Sequence, residues 1–355
     1  MSVLFSPLEL REVVFRNRVF VSPMCQYTSR DGFPTDWHLV HLGSRAVGGA
    51  GLVLTEATAV APWGRITPGD SGLWSEDLAE AFTSLTRFVK DQGAVPGVQL
   101  AHAGRKASTD APWRGGGAVG EADGGWIPVA PSAIPFAPGD PVPRELSKDE
   151  LRSLVGRFAD AACFARIAGF EVIEIHASHG YLLQQFLSPL ANRRGDEYGG
   201  SLENRMRFPL EVVTAVREAW PRHLPLFARI NATEWEDGGW NLGQEIRFAR
   251  ELKRIGVDLI DCSSGGTVPG AKIPAGPGFQ APFAAAIRKE AGVATAAVGL
   301  ITSPAQAETI VATGMADAVL LGRELLRDPY WPLHAAKALH ADIDYWPVQY
   351  LRAKP

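Results

Sequence analysis

Phe170-Glu-Val-Ile-Glu-Ile175 is an apolar run, and His176-Ala-Ser-His-Gly-Tyr181 follows it directly. A strand over 170–175 would deliver three proton-carrying side chains to its C-terminal end, which is where barrel enzymes keep their chemistry. A tyrosine with an ordinary pKa near ~10 stays protonated at neutral pH, and a neutral imidazole donates through either nitrogen. Two donors and one acid suit the polarisation of a carbonyl and the protonation of the carbon beside it. A plain hydrogen-bonded histidine pair next to a turn is the structural alternative. A third reading, with His176 and His179 as metal ligands, lacks a third ligand at any obvious spacing, so no metal is expected.

Outward from this stretch the same rhythm repeats. A helix over Lys148–Ala168 precedes it, and helix Glu203–Trp220 leads to a strand at Leu226–Ile230. Further pairs follow: helix Gly243–Ile255 with strand Val257–Asp261, helix Pro282–Glu290 with Ala294–Val298, and helix Pro304–Thr313 with Ala316–Leu321. Toward the N-terminus, Val95–Ala101 follows helix Leu78–Gln92, and Gly51–Ala57 follows helix Trp37–Val47. The first strand is Asn17–Val21, behind a short hairpin over Leu4–Val14, and a last helix covers Trp331–Leu339. Short apolar strands alternating with amphipathic helices imply right-handed crossovers and a parallel sheet. Eight such units predict a single (β/α)8 TIM barrel spanning residues 1–355 as one domain, with long loops after strands three and four. A doubly wound sheet would carry a Gly-rich turn after its first strand, and Ser22-Pro-Met-Cys25 is not one.

Composition narrows the partners. The net charge is −4 over 355 residues, and the basic residues are dispersed, so no nucleic-acid footprint is expected. Three cysteines, Cys25, Cys163 and Cys262, form no C-x-x-C pattern, which fits a reducing cytoplasm. No basic leader with an apolar core opens the chain, and no run of about 18 apolar residues predicts a membrane span.

Residues at the strand ends converge if the barrel closes. Gly299 follows the seventh strand, next to Val298, and Gly322-Arg323 follows the eighth, the place where barrels often bind phosphate. Gln99 offers an amide and Arg229 a permanent cation near the mouth. Together these suit a flavin mononucleotide better than a dinucleotide, with Arg229 facing the negative charge that a reduced flavin gathers. Taken singly, Glu56, Gln99 or Arg229 reads more simply as a structural residue.

Five stretches in order resemble the old yellow enzyme family of FMN-dependent ene-reductases. They are Ser22–Cys25, Gln99–Lys106, His176–Tyr181, Asp196-Glu-Tyr-Gly-Gly-Ser-Leu-Glu-Asn-Arg205 and Leu321–Pro329. Cys25 with Tyr27 close behind resembles the thermophilic-like, or YqjM-like, subgroup. The resemblance implies that Ser22, Pro23, Met24, Cys25, Ala57, Gln99, Arg229, Val298, Gly299, Gly322 and Arg323 hold FMN, which NADPH or NADH reduces. It implies that His176 and His179 hold the carbonyl oxygen of an electron-poor alkene while Tyr181 protonates the α-carbon. Tyr27 and Lys106 would line the substrate pocket. Arg352 would reach a neighbouring site in a homodimer or homotetramer. Segment Ala111–Pro135 departs from compact members of the subgroup and is longer. Ser201 is expected to cap the helix after the Gly199-Gly200 pair.

Overall fold

The computed structural model describes residues 2–354. Eight parallel strands close into a barrel: β1 (Val19–Val21), β2 (Leu52–Ala59), β3 (Val95–Ala101), β4 (Val172–Ala177), β5 (Leu226–Asn231), β6 (Leu259–Ser263), β7 (Ala294–Val298) and β8 (Ala318–Leu321). Each pairs with its successor, and β8 pairs with β1 to close the ring.

Helices α1 (Asp36–Val47), α2 (Glu76–Asp91), α3 (Lys148–Ile167), α4 (Leu182–Leu187), α5 (Leu202–Ala219), α6 (Leu242–Ile255), α7 (Ala281–Ala291), α8 (Pro304–Ala312), α9 (Arg323–Arg327) and α10 (Trp331–Ala338) fill the connections. Their faces follow the 3.6-residue period. Leu78, Phe82, Leu85 and Val89 of α2 are all buried against the barrel. Their starts are chemically specified. Ser201 accepts a hydrogen bond from the Asn204 amide, and Ser147 forms a capping box with Glu150. Among the described residues no helix is long and apolar enough to cross a membrane.

Two differences from the sequence reading matter for the site. Strand β4 begins and ends two residues later than the apolar run suggested, so His176 lies within the ladder, with Arg229 of β5 as its register partner. The strand starts at Val172 because Ala168 and Gly169 are needed to end α3, and Gly169 takes a left-handed φ of 83° to make that stop. The second difference concerns two short helices: α4 lies inside a stretch read as loop, and α9 begins at Arg323, where a helix start was expected without bounds. At six and five residues they are too short for periodicity to register.

Because side chains alternate, each inward-facing row climbs from apolar to polar along its strand. The rows run Val172-Glu174-His176, Phe227-Arg229-Asn231 and Leu259-Asp261-Ser263. The lower layer is plugged by an N-terminal antiparallel hairpin, Leu8–Leu10 with Val13–Phe15. Its Phe15 ring packs 5.0 Å from Phe20 and 6.2 Å from Phe227. The polar layer opens at the other end.

Candidate active site

Residues 178–181 form the tight turn that builds the site. The Tyr181 amide donates to Ser178 O at 3.2 Å, and the two central residues, His179 and Gly180, take φ values of 57° and 71°. Positive φ at both centres turns the chain back on itself. That reversal is why a spacing of three and then two residues converges. The His176 ring centroid lies 5.3 Å from His179 and 5.0 Å from Tyr181, edge to face in both cases. Gly180 is required on a second ground, since a Cβ there would run into Gly266 O and Thr267 Cα.

His179 Nε2 sits 2.7 Å from Ser263 Oγ on β6, which fixes the imidazole. His176 Nδ1 is buried with no protein partner. Burial first, and then the Arg229 cation, holds both imidazoles well below the ordinary histidine pKa, so both are neutral at physiological pH. Burial likewise pushes the Tyr181 phenol well above its ordinary value, and Tyr181 keeps its proton until a strong base arrives. The trio therefore offers two neutral hydrogen-bonding rings and one retained acid.

Below it, Arg229 Nη1 donates to Ser22 Oγ at 3.0 Å, while its Nε, 3.3 Å from Asp261 Oδ2, lacks a hydrogen bond of good geometry. Gln99 Nε2 donates to Glu174 Oε1 at 2.7 Å. Burial raises the pKa of both Glu174 and Asp261, and Arg229 opposes the shift. Gln99 is thus a partner of a buried carboxyl as well as a residue of the mouth.

Cys25 and Tyr27 close a second side. The Tyr27 backbone is left-handed (φ 55°), its ring meets Trp113 edge-on at 5.5 Å, and the Cys25 thiol lies beside its hydroxyl. Burial raises both pKa values, so Cys25 is a thiol, not a thiolate. Glu56 organises this corner: it accepts from Ser71 Oγ at 2.6 Å, from the Gln26 amide and from His38 Nε2 at 3.0 Å. The strand that carries it has a bulge between Leu54 and Ala57, which re-aims Ala57 at the mouth.

A cavity of about 300 Å³ runs along Ser22, Met24, Arg229, Val298, Gly299, Gly322 and Arg323. Lys106 is half-buried beside the Tyr181 ring, and its ammonium donates to His179 O and Gly266 O. Arg352 is exposed in a terminal 3-10 turn, Val348–Ala353, that also exposes Val348, Tyr350 and Leu351. Ser263, Glu174, Asp261 and Gln185 were given no role from sequence. Period-two alternation along β4 and β6 was the signal that could have placed the first three. Gln185, whose amide holds Gly180 O at 2.7 Å from helix α4, left no such trace. Among the described residues no group of three or more His, Cys, Asp or Glu has metal-binding geometry.

The model of the NADH:flavin oxidoreductase / NADH oxidase family matches residues 3–342. The chain belongs to that family. It is 49% identical to an NADPH dehydrogenase of Geobacillus thermodenitrificans over 99% of this chain and 98% of that one. It is 47% identical to an NADPH dehydrogenase of Bacillus subtilis over 98% of both chains. Among solved structures, the old yellow enzyme homologue of Zymomonas mobilis superposes with a TM-score of 0.79 at 27% identity, covering 99% of this chain and 98% of that one. Morphinone reductase in complex with tetrahydroNAD gives 0.78 at 29% identity, covering 96% and 92%. This family member is an FMN-dependent oxidoreductase with a nicotinamide donor.

The residues present fit FMN. The guanidinium of Arg229 has an unsatisfied N–H at the mouth, and the cavity beside it runs to Arg323 at the start of α9, where the first helical amides lack partners within the helix. A fixed cation at one end and a second Arg with free amides at the other match a ring and its phosphate.

Proposed function

We propose that this chain reduces the C=C bond of α,β-unsaturated carbonyl or nitro compounds, with Tyr181 as the proton donor. Bound FMN supplies the hydride for the β-carbon. The observation that carries the reading is the convergence of two neutral imidazoles and a protonated phenol within about one ring diameter. His176 and His179 hold the carbonyl or nitro oxygen by hydrogen bonds, which draws electron density from the double bond and lowers the cost of negative charge on that oxygen. Tyr181 then passes its proton to the α-carbon. Tyr27, with Cys25 beneath it and Trp113 at its edge, walls the pocket on the far side.

Ser22–Cys25, Ala57, Gln99, Val298, Gly299, Gly322 and the two arginines Arg229 and Arg323 make up the flavin cleft in this reading. The whole chain acts as one FMN-binding unit. Arg352, beside the exposed Val348, Tyr350 and Leu351, completes a neighbouring site in a homodimer or homotetramer. Anaerobic stopped-flow measurement separates the half-reactions. Tyr181→Phe is expected to slow alkene reduction by about 10²–10⁴-fold and to leave flavin reduction by NADPH fast. Equal slowing of the two halves would remove Tyr181 from the role.

A further inference from the structure

Lys106 closes the 3-10 turn Gly104–Lys106 after β3, yet its ammonium reaches across to two other strand ends. It donates to His179 O at 2.8 Å and to Gly266 O at 3.0 Å. Both acceptors belong to left-handed residues, His179 at φ 57° and Gly266 at φ 85°, so the lysine ties together two segments that would otherwise relax. The same nitrogen lies 4.9 Å from the centroid of the Tyr181 ring and 4.7 Å from that of Phe136. Among the described residues no carboxylate pairs with it, and its partners are two carbonyls and two aromatic rings.

We propose that Lys106 is a positioning residue that holds the His179 turn in place and stabilises the Tyr181 phenolate as the phenol gives up its proton. The inference rests on Tyr181 being the donor. In that step the Tyr181 O–H bond breaks and a C–H bond forms at the α-carbon from the enolate electron pair. The phenol oxygen keeps the electron pair of the broken bond and later recovers a proton from solvent. The ring thus passes from neutral to anionic with an ammonium held over its face, in a site dry enough for that attraction to count. Burial first, and then Cys25, Tyr27 and Asp70, make the phenolate costly, with Arg229 opposing them from β5.

The groups facing this pair come from every neighbouring strand end. They are Arg105 on the same turn, His176 on β4 and His179 after it, Arg229 on β5, Cys25 and Tyr27 after β1, and Asp70 after β2. Burial and then Arg105 lower the Lys106 pKa to about 8, and burial together with Glu56 raises that of Asp70 to about 7. Both therefore titrate near neutrality, but only one lies over the phenol ring.

The test measures alkene reduction by pre-reduced, flavin-loaded enzyme in single-turnover mode, with flavin retention confirming the fold. Lys106→Met is expected to slow the step by about 10–100-fold at pH 7. Lys106→Arg should recover most of that loss. The wild-type rate should fall as pH rises through about 8, whereas Lys106→Arg keeps its charge and stays level. Asp70 titrates in both proteins, so the ratio of the two profiles isolates residue 106. In a Tyr181→Phe background, Lys106→Met should have a much smaller effect, limited to what loosening the His179 turn costs. The same loss there as in the wild type would overturn the phenolate role, as would an identical pH profile for Lys106→Arg and wild type. Undiminished alkene reduction by Tyr181→Phe alone would instead overturn the donor assignment.

Discussion

At the floor of the barrel Phe15, Phe20 and Phe227 pack with Val172, Leu259 and Leu320, and every one of these side chains is apolar. Two residues further along the same strands, Glu174, Arg229 and Asp261 are as dry as the phenylalanines, and each has a polar atom without a hydrogen bond. The floor gains free energy by burial, about 1.5–3 kcal/mol for each large side chain. The mouth loses it by burying ionisable groups. One strand end therefore stabilises the fold, and the other holds groups that a ligand must satisfy.

Substitutions at the two ends should separate stability from activity. Tyr181→Phe at the mouth should cost the 10²–10⁴-fold in alkene reduction given above while leaving the denaturant midpoint unchanged. At the floor, Phe227→Ala should destabilise by about 3–5 kcal/mol in equilibrium unfolding, with the folded fraction retaining its rate of alkene reduction. A large activity defect in folded Phe227→Ala enzyme would break the division. Gly180→Ala should fall between them. The forced φ and the contact with Gly266 O should cost about 1–3 kcal/mol of stability and lower activity as well, because the turn positions two site residues.

A buried acid outside the mouth sharpens the comparison by pH. Glu245 on α6 is fully buried, and burial pushes its pKa to about 8 against a single opposing hydrogen bond from the Trp240 indole. Its folded pKa lies above the unfolded one, so the native state holds the extra proton between roughly pH 4.5 and 8. Stability should fall across that window as pH rises, by about 1.4 kcal/mol per pH unit from this one group. Glu245→Gln should flatten that part of the curve in thermal or denaturant melts, and an unchanged slope would assign the effect to Glu174 and Asp261. The smallest effect is expected from Ser263→Ala. Losing one hydrogen bond to His179 should weaken binding of a carbonyl ligand by about 3–10-fold in a flavin absorbance titration.

The alternation of short apolar strands with amphipathic helices was legible from composition and period alone, and β3 and β7 match their predicted bounds residue for residue. The cavity that joins Gly299, Gly322 and Arg323 to Arg229 lies where the glycines after the last two strands pointed. The supporting residues were not. Ser263 is 84 positions from His179, and Lys106 is 73 positions from the carbonyl that it holds, so no local pattern joins either pair. Gln99, read as a ligand contact, also turns out to partner Glu174, a contact that exists only because β3 and β4 are neighbours.

Periodicity and strand-end chemistry, properties of neighbours in the chain, were enough to specify the barrel and the positions of His176, His179 and Tyr181. Only closure of the sheet decided which groups face them. It gathers the other strand ends around the same mouth, strips away the water that would otherwise set their pKa values, and makes Lys106 a partner of an acid it never meets in sequence.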